Sequence, residues 1–321
     1  MMANVVWSWA AHLVFVISGF VMPHMLDRNL GQDLLGIWDL CWSLVSYLSL
    51  AGLGTGASVN RYVARYRAAG DVDSLCRAVS SVVALQVLVC AFVVLAPLGI
   101  VFALPMLVND RVGVHLQETR WVVLFLGLSL AVQKGLEGYR GVISGCHRWD
   151  LHNGIQSGSH AVSVVAMLTS LLLGGGVVSM AIIYFIGTSL GEMARVVAVA
   201  YVCPELKVRW RFVGWDYGRK LALFGGKIFL LGTPPLVLFQ TVNIYVASAL
   251  GPAALAILSR PLGLVRHAET LLAKFSNMFS PMAGSIQGVD ERAQQRDLLY
   301  YGSRWGVAVA IPASIGLAVL G

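Results

Sequence analysis

Charged side chains are scarce in this sequence. Only 12% of the 321 residues are Asp, Glu, Lys or Arg, whereas 57% are hydrophobic. A soluble domain carries about 25% charged residues, so these few charges cannot cover the surface of a globular protein of this length. The composition excludes a cytosolic enzyme, a nucleic-acid-binding domain and a disordered chain. It predicts an integral membrane protein with many spans.

Cysteine and nucleotide-binding motifs are also lacking. The five cysteines are scattered and form no CxxC pair, so neither a disulfide framework nor a zinc site is predicted. The sequence contains no P-loop and no HExxH motif. We therefore expect no cofactor and no enzymatic activity. Transport by this chain would have to be driven by an ion gradient or by the gradient of its substrate.

Long apolar runs fill most of the chain. A helix needs about 20 apolar residues to cross a bilayer, and the sequence accommodates nine such runs. The predicted fold class is therefore an all-α polytopic membrane protein. The predicted spans are 1–26, 34–58, 78–104, 121–140, 153–174, 177–202, 221–249, 252–276 and 305–321. Pro234 and Pro235 should kink the seventh. The last is short and has no polar anchor after it, so we expect the sequence to be part of a longer protein.

Lysine and arginine are distributed unevenly among the predicted loops. If the N-terminus is cytoplasmic, fifteen of the 23 lie in or beside inner loops, and only Arg28, Arg111 and Arg120 lie in or beside outer loops; the other five lie within predicted spans. Because cytoplasmic loops are enriched in Lys and Arg, this bias predicts a multi-pass protein of the inner membrane with a cytoplasmic N-terminus.

A weak internal repeat relates the start of the chain to its end. Residues 30–37 and 250–257 both begin with Leu-Gly, end with Ile and lie between two apolar runs. Six spans separate equivalent points, and an even number makes the repeats parallel. The predicted organisation is a six-helix N-terminal lobe (1–203), a cytoplasmic inter-lobe linker (204–220) and three helices of a second lobe (221–321).

Two stretches of the sequence carry motifs that are specific enough to indicate a family. The first, residues 36–71, contains Gly36-Ile-Trp-Asp-Leu40, Ser43-Leu-Val-Ser-Tyr-Leu-Ser-Leu-Ala-Gly-Leu-Gly-Thr-Gly56, Arg61-Tyr-Val-Ala-Arg-Tyr66 and Gly70-Asp71. The second is Tyr139-Arg-Gly-Val-Ile-Ser-Gly-Cys-His-Arg-Trp-Asp-Leu-His-Asn153. They resemble the polysaccharide transporter family, the Wzx-type O-antigen and exopolysaccharide flippases. These belong to the MOP superfamily, which also contains MATE drug exporters and lipid II flippases.

The resemblance implies a MATE-like fold, with two six-helix lobes around a cavity lined by the first, second, seventh and eighth spans. It implies a flippase that moves undecaprenyl-pyrophosphate-linked oligosaccharide across the inner membrane by alternating access, for O-antigen and lipopolysaccharide biosynthesis. Implied partners are that lipid-linked oligosaccharide, the bilayer, and a polysaccharide polymerase with its chain-length regulator. No nucleic acid is expected.

Charges at membrane depth are costly and mark functional positions by default. Arg260, followed by Pro261, and Lys227 have no acid three or four residues away. With their spans on the cavity, they are candidate ligands for the pyrophosphate, which an Arg fork binds well. Arg266 extends the polar character of the eighth span.

Two further candidates have simpler alternatives. Arg61, at the inner end of the second span, is a candidate to meet the pyrophosphate on entry or is one of the cytoplasmic anchors. Asp39 is a candidate coupling carboxylate or an ion-pair partner for Arg260. By contrast, Lys134, Glu137 and Arg140, spaced i, i+3, i+6, and the pair Glu192–Arg195 are expected to neutralise themselves for structural reasons.

Two other functions are weighed against the flippase. A MATE-like drug or cation antiporter would need an acid-rich cavity, whereas the cavity candidates here are mostly cationic. A membrane-embedded polysaccharide polymerase or ligase would need a large periplasmic loop, and the predicted outer loops are short. A lipid II flippase is a near neighbour, but its relatives carry basic residues on the first span, where this sequence has none.

The predicted orientation is testable by labelling single cysteines in intact cells. In a background without the five native cysteines, Gly113→Cys should react with a membrane-impermeant maleimide added outside. Arg67→Cys and Arg211→Cys should react only after the membrane is permeabilised. Labelling of Arg67→Cys in intact cells would overturn the orientation.

Overall fold

The computed structural model describes residues 2–52, 55–107 and 115–286, and scattered residues between 300 and 316. The described chain is helical and contains no strand, which confirms the all-α prediction. Its α-helices are α1 (Met2–Leu30), α2 (Gln32–Leu48), α3 (Thr55–Ala68), α4 (Val72–Leu107), α5 (Leu116–Gly135), α6 (Glu137–Gly145), α7 (Trp149–Leu172), α8 (Val177–Val202), α9 (Trp215–Leu250) and α10 (Pro252–Ile286). The chain divides into two units, residues 1–256 and 257–321.

Several helices are long and apolar enough to cross a membrane. Among the described residues these are Gln32–Gly52, Val72–Met106, Trp149–Leu172 and Val177–Val202, with α5 and α6 together as a fifth, bent span. They correspond to the second to sixth predicted spans. Large apolar side chains such as Leu88, Phe92 and Leu95 of α4 are exposed on their surface. Large apolar side chains are unfavourable in water, so this exposed surface of the helices is suited to contact with lipid. Helices α1, α9 and α10 cover the predicted first, seventh and eighth spans, and the ninth is described only in part.

The second span is shorter than predicted. The α-helix ends at Leu48 and continues as a 3₁₀ turn, Ser49–Gly52, and α3 begins at Thr55. Residues 55–58 therefore belong to a new helix, which also covers much of the predicted polar loop. The cause is an amphipathic pattern within a polar stretch: Val59 and Val63 are buried, whereas Arg61 and Arg65 are exposed.

The predicted fourth span is broken. α5 ends at Gly135, α6 starts at Glu137, and the two helices are bent by 43°. A break at membrane depth leaves backbone groups without helical partners, and these must be satisfied by the protein. Here the buried side chain of Gln86 reaches from α4, and its Oε1 accepts a hydrogen bond of 3.0 Å from the Gly138 N–H. By contrast, α9 continues through Pro234 and Pro235.

Two apolar clusters hold the first unit together. The larger cluster contains Ile37, Val122 and Met180, so it joins α2, α5 and α8. The smaller contains Val63, Ile143 and other residues of α3, α6 and the end of α8. The bent α5–α6 pair contributes to both clusters, so the position of α6 depends on the break at Leu136.

The segment between α8 and α9 is attached to the first unit by polar contacts. The N–H groups of Arg209 and Gly214 donate to the hydroxyls of Ser80 and Ser81 at 3.2 and 3.0 Å. Arg67 Nε donates to Glu205 Oε1 at 3.2 Å. Hydrogen bonding from its own backbone N–H, reinforced by Cys203 and Arg67, holds the pKa of Glu205 below its ordinary value. The predicted linker, 204–220, is non-helical or 3₁₀ up to residue 214, and its last residues form the first turns of α9.

The hydrogen bond between Gln86 and Gly138 should stabilise the bent span. Gln86→Met keeps the size of the side chain but leaves the buried N–H of Gly138 without an acceptor. We expect a loss of about 1–3 kcal/mol in the free energy of unfolding, measured by thermal or denaturant unfolding in detergent. Gln117→Met, at an exposed position of α5, is the matched control. Equal stability of the two variants would show that the bond does not support the break.

Candidate functional site

A buried cluster of three charges lies where α6 meets α8. Glu192 Oε1 accepts a hydrogen bond of 3.1 Å from Arg140 Nη2 and a second, short one from Arg195 Nη1. The side chains of Glu192 and Arg195 are 2% and 4% exposed, and that of Arg140 is 30% exposed. Two guanidinium groups and one carboxylate leave the cluster with a formal charge of +1.

α7 and α8 approach each other closely beside this cluster. Gly187 and Gly191, four residues apart on α8, face Ser163 and Ser159 of α7. A Cβ on Gly191 would lie 2.7 Å from Ser159 Oγ, and one on Gly187 would also collide with Ser163. Small residues at this spacing let two membrane helices pack closely. The packing thereby places the hydroxyls of α7 next to the charged turn of α8.

A partly open polar cavity of about 90 Å³ lies between these helices. Arg140, Glu192 and Arg195 contribute to its wall, together with hydroxyl, amide and imidazole side chains from α5, α7 and α8. His160 links the wall to α1, because its Nε2 lies 2.8 Å from Ser18 Oγ and its ring stacks on Phe15 at 4.2 Å. The other polar wall residues are Gln133, Gln156, Ser159, Ser163, Tyr184 and Thr188.

The hydrogen-bonding capacity of the cluster is not exhausted. Arg140 Nε, Arg195 Nε and Glu192 Oε2 are buried and have no partner among the described residues. A buried polar group without a partner costs about 1–3 kcal/mol, and native structures keep few of them. Buried groups of this kind, in residues that line a polar cavity, are often satisfied by water or an ion.

The predicted self-neutralised charges pair differently from the expectation. Glu137 does pair with Lys134, at 3.1 Å, and Glu192 does pair with Arg195. Arg140, however, contacts Glu192 on another helix rather than joining Glu137. The reason is tertiary: Glu137 is already paired with Lys134, and the packing of α6 on α8 brings Glu192 within hydrogen-bond distance of Arg140.

The predicted cavity ligands fall elsewhere. Asp39 is half-buried on α2 and Arg61 is exposed on α3, and neither lines the cavity of the first unit. Arg260 and Arg266 are half-buried on α10 in the second unit, where Arg260 Nη2 donates to Ser259 Oγ at 2.9 Å. Lys227 belongs to α9, and its side chain lies outside the described residues. Their roles in binding substrate stay predictions.

Sequence reasoning missed the polar wall formed by α7. His152, Gln156, Ser159 and Ser163 recur at intervals of three and four residues along this helix. That period places them on one face, and such a stripe in a membrane span was the available signal. The pairing of Arg140 with Glu192 left no signal, because the two residues are 52 positions apart on different helices.

One sequence pattern in α8 has no catalytic context. Residues 187–191 spell Gly-Thr-Ser-Leu-Gly and so match the GxSxG pattern of serine hydrolases. That chemistry requires a sharp turn from a strand into a helix, which exposes the serine. Here the five residues lie inside one continuous helix, so the two glycines are explained by helix packing.

Removal of one arginine should destabilise the protein. Arg195→Met takes away the more buried of the two partners of Glu192 and leaves the carboxylate to Arg140, whose side chain is 30% exposed, so we expect a loss of about 1–3 kcal/mol. Arg148→Met is the matched control, because Arg148 pairs with Asp150 while 49% of its side chain is exposed; it should cost less than about 1 kcal/mol. Unfolding in detergent measures both, and Glu192→Gln added to Arg195→Met should recover part of the loss. Equal effects of the two methionine variants would show that the cluster does not hold α6 to α8.

Comparison with known proteins gives one match. The sequence model of the family described as "Polysaccharide biosynthesis protein" matches residues 1–286. No curated protein and no solved structure matches the chain. The match covers all the described helices from α1 to α10 and includes both stretches whose motifs indicated a polysaccharide transporter. The chain therefore belongs to the polysaccharide biosynthesis protein family.

Proposed function

We propose that this protein is a Wzx-type flippase. In this proposal it moves an undecaprenyl-pyrophosphate-linked oligosaccharide from the cytoplasmic to the periplasmic leaflet of the inner membrane by alternating access. The observation that carries the proposal is the family match over residues 1–286, in a chain whose described helices include several able to cross a bilayer. In this role the protein catalyses no covalent step and needs no cofactor.

The architecture supports transport rather than polymerisation. A polymerase or ligase must present catalytic groups to two saccharide chains, usually on an extramembrane surface. The described chain instead consists of packed helices with short connections and a polar cavity inside the first unit. The positive charge at that cavity also disfavours a cation antiporter, which would need carboxylates free to bind protons or cations.

The substrate chemistry suits fixed arginines. A pyrophosphate carries several negative charges and offers pairs of oxygens that match the guanidinium fork. We propose Arg260 as the principal ligand, with Lys227, Arg266 and Arg61 as further cations. Asp39 is proposed as the coupling carboxylate or as the partner of Arg260. The polymerase and its chain-length regulator are the proposed downstream partners, since they act on the oligosaccharide after it has crossed.

Genetic complementation tests the proposal. The full-length protein, expressed with its native glycosyltransferases in a strain that lacks its own flippase, should restore surface polysaccharide. A MATE-like function would instead produce resistance to cationic drugs without restored polysaccharide. That outcome would refute the flippase proposal.

Substitution of Arg260 tests the binding role. Arg260→Ala should reduce surface polysaccharide at least tenfold at an unchanged protein level. Arg260→Lys should retain part of the function, because a point charge still attracts phosphate but loses the bidentate contact. Arg219→Ala, at an exposed position, should leave polysaccharide unchanged. Wild-type transport by a well-expressed Arg260→Ala protein would remove Arg260 from the binding site.

A further inference from the structure

The charge balance in the cavity of the first unit is incomplete. Arg140 and Arg195 face a single carboxylate, Glu192, and the described residues on the cavity wall add no other carboxylate. An unbalanced charge in a buried site is costly unless a counter-charge or several hydrogen-bond acceptors reach it. Contact with solvent can lower the cost of the charge on Arg140 only, because the side chain of Arg195 is 4% exposed.

The unused donors of the cluster point to the nature of the missing group. Arg140 and Arg195 both line the cavity, and the Nε–H of each is buried without a partner among the described residues. Ser159 and Thr188 add hydroxyl groups to the same wall. Guanidinium N–H and hydroxyl donors form charge-assisted hydrogen bonds to anions. Glu192 Oε2 needs a donor, which a water molecule beside the anion would supply.

Size and charge together define the ligand. The cavity of about 90 Å³ has room for a monatomic ion together with several waters, since about 10–15 Å³ of such space holds one water. A monovalent anion would neutralise the formal charge of +1. A divalent phosphate would instead leave the cluster with a net negative charge.

We propose that this cavity is a binding site for a small monovalent inorganic anion of the size of chloride. The ion bridges Arg140 and Arg195 and so joins α6 to α8 beside the α7 contact. Its function is to complete the charge balance inside the first unit. The site is separate from the cations proposed for the pyrophosphate, and it does not depend on the proposed flippase function.

Anion-dependent stability tests the site. Purified full-length protein in detergent is unfolded thermally while sodium chloride replaces sodium gluconate at constant ionic strength. The expected result is a Tm that rises with the logarithm of the chloride concentration above the Kd, by about 2–4 °C at ten times the Kd. Arg148→Gln, outside the cavity, should show the same rise. A wild-type Tm that does not change with chloride would overturn the proposal.

Two substitutions separate a bound anion from a general salt effect. Arg140→Gln brings the cluster to zero net charge, so the rise in Tm with chloride should disappear. Glu192→Gln raises the charge to +2, so the Kd for chloride obtained from the Tm values should fall at least about tenfold. A structural triad without an anion predicts that Glu192→Gln is destabilised equally at all chloride concentrations. That result, or an unchanged chloride dependence in Arg140→Gln, would contradict the site.

A crystallographic measurement on the wild-type protein does not depend on the folding of either variant. Crystals of the full-length protein grown in sodium bromide should show an anomalous difference peak between the guanidinium groups of Arg140 and Arg195. Absence of that peak, with bromide bound elsewhere in the same crystal, would overturn the proposal.

Discussion

The first unit depends on the burial of one carboxylate between two arginines. Glu192 holds Arg195 on its own helix and Arg140 on α6, and this contact fixes α6 against α8. Breaking such a buried pair is far more costly than breaking one in water. Glu137 does not compete for Arg140, because it is paired with Lys134 across the break at Leu136. Gln86 then satisfies a backbone group near the break.

This arrangement explains why a polar cavity persists inside a membrane lobe. Glycines 187 and 191 bring α8 close to the serines of α7, so polar atoms of both helices face a shared space. Lipid-facing positions on the same helices are apolar and exposed, as Val162 and Leu190 show. One face of each helix is therefore suited to lipid, and the other lines the polar cavity. The face on the cavity keeps hydrogen-bond donors inside the lobe.

The sequence sufficed for the fold class and for much of the helix order, because apolar runs of about 20 residues have few other interpretations. The family was also accessible from the motifs around Gly36 and Tyr139. Boundaries were less accessible. The turn after Leu48 and the break at Leu136 fall inside stretches long enough to be read as single spans, and the hydrogen bond from Gln86 that supports the break leaves no local signal in the sequence. Ion pairs between helices could not be predicted for the same reason. Arg140 and Glu192 are far apart along the chain, so no periodic pattern in the sequence links them.

Direct measurement of translocation tests the central claim. The full-length protein would be reconstituted into proteoliposomes with a fluorescent undecaprenyl-pyrophosphate-linked oligosaccharide, and a membrane-impermeant quencher would report the fraction in the outer leaflet over time. We expect label initially protected in the inner leaflet to become accessible far faster than in liposomes without protein. Equal rates in both, with the protein folded and inserted, would contradict the flippase function.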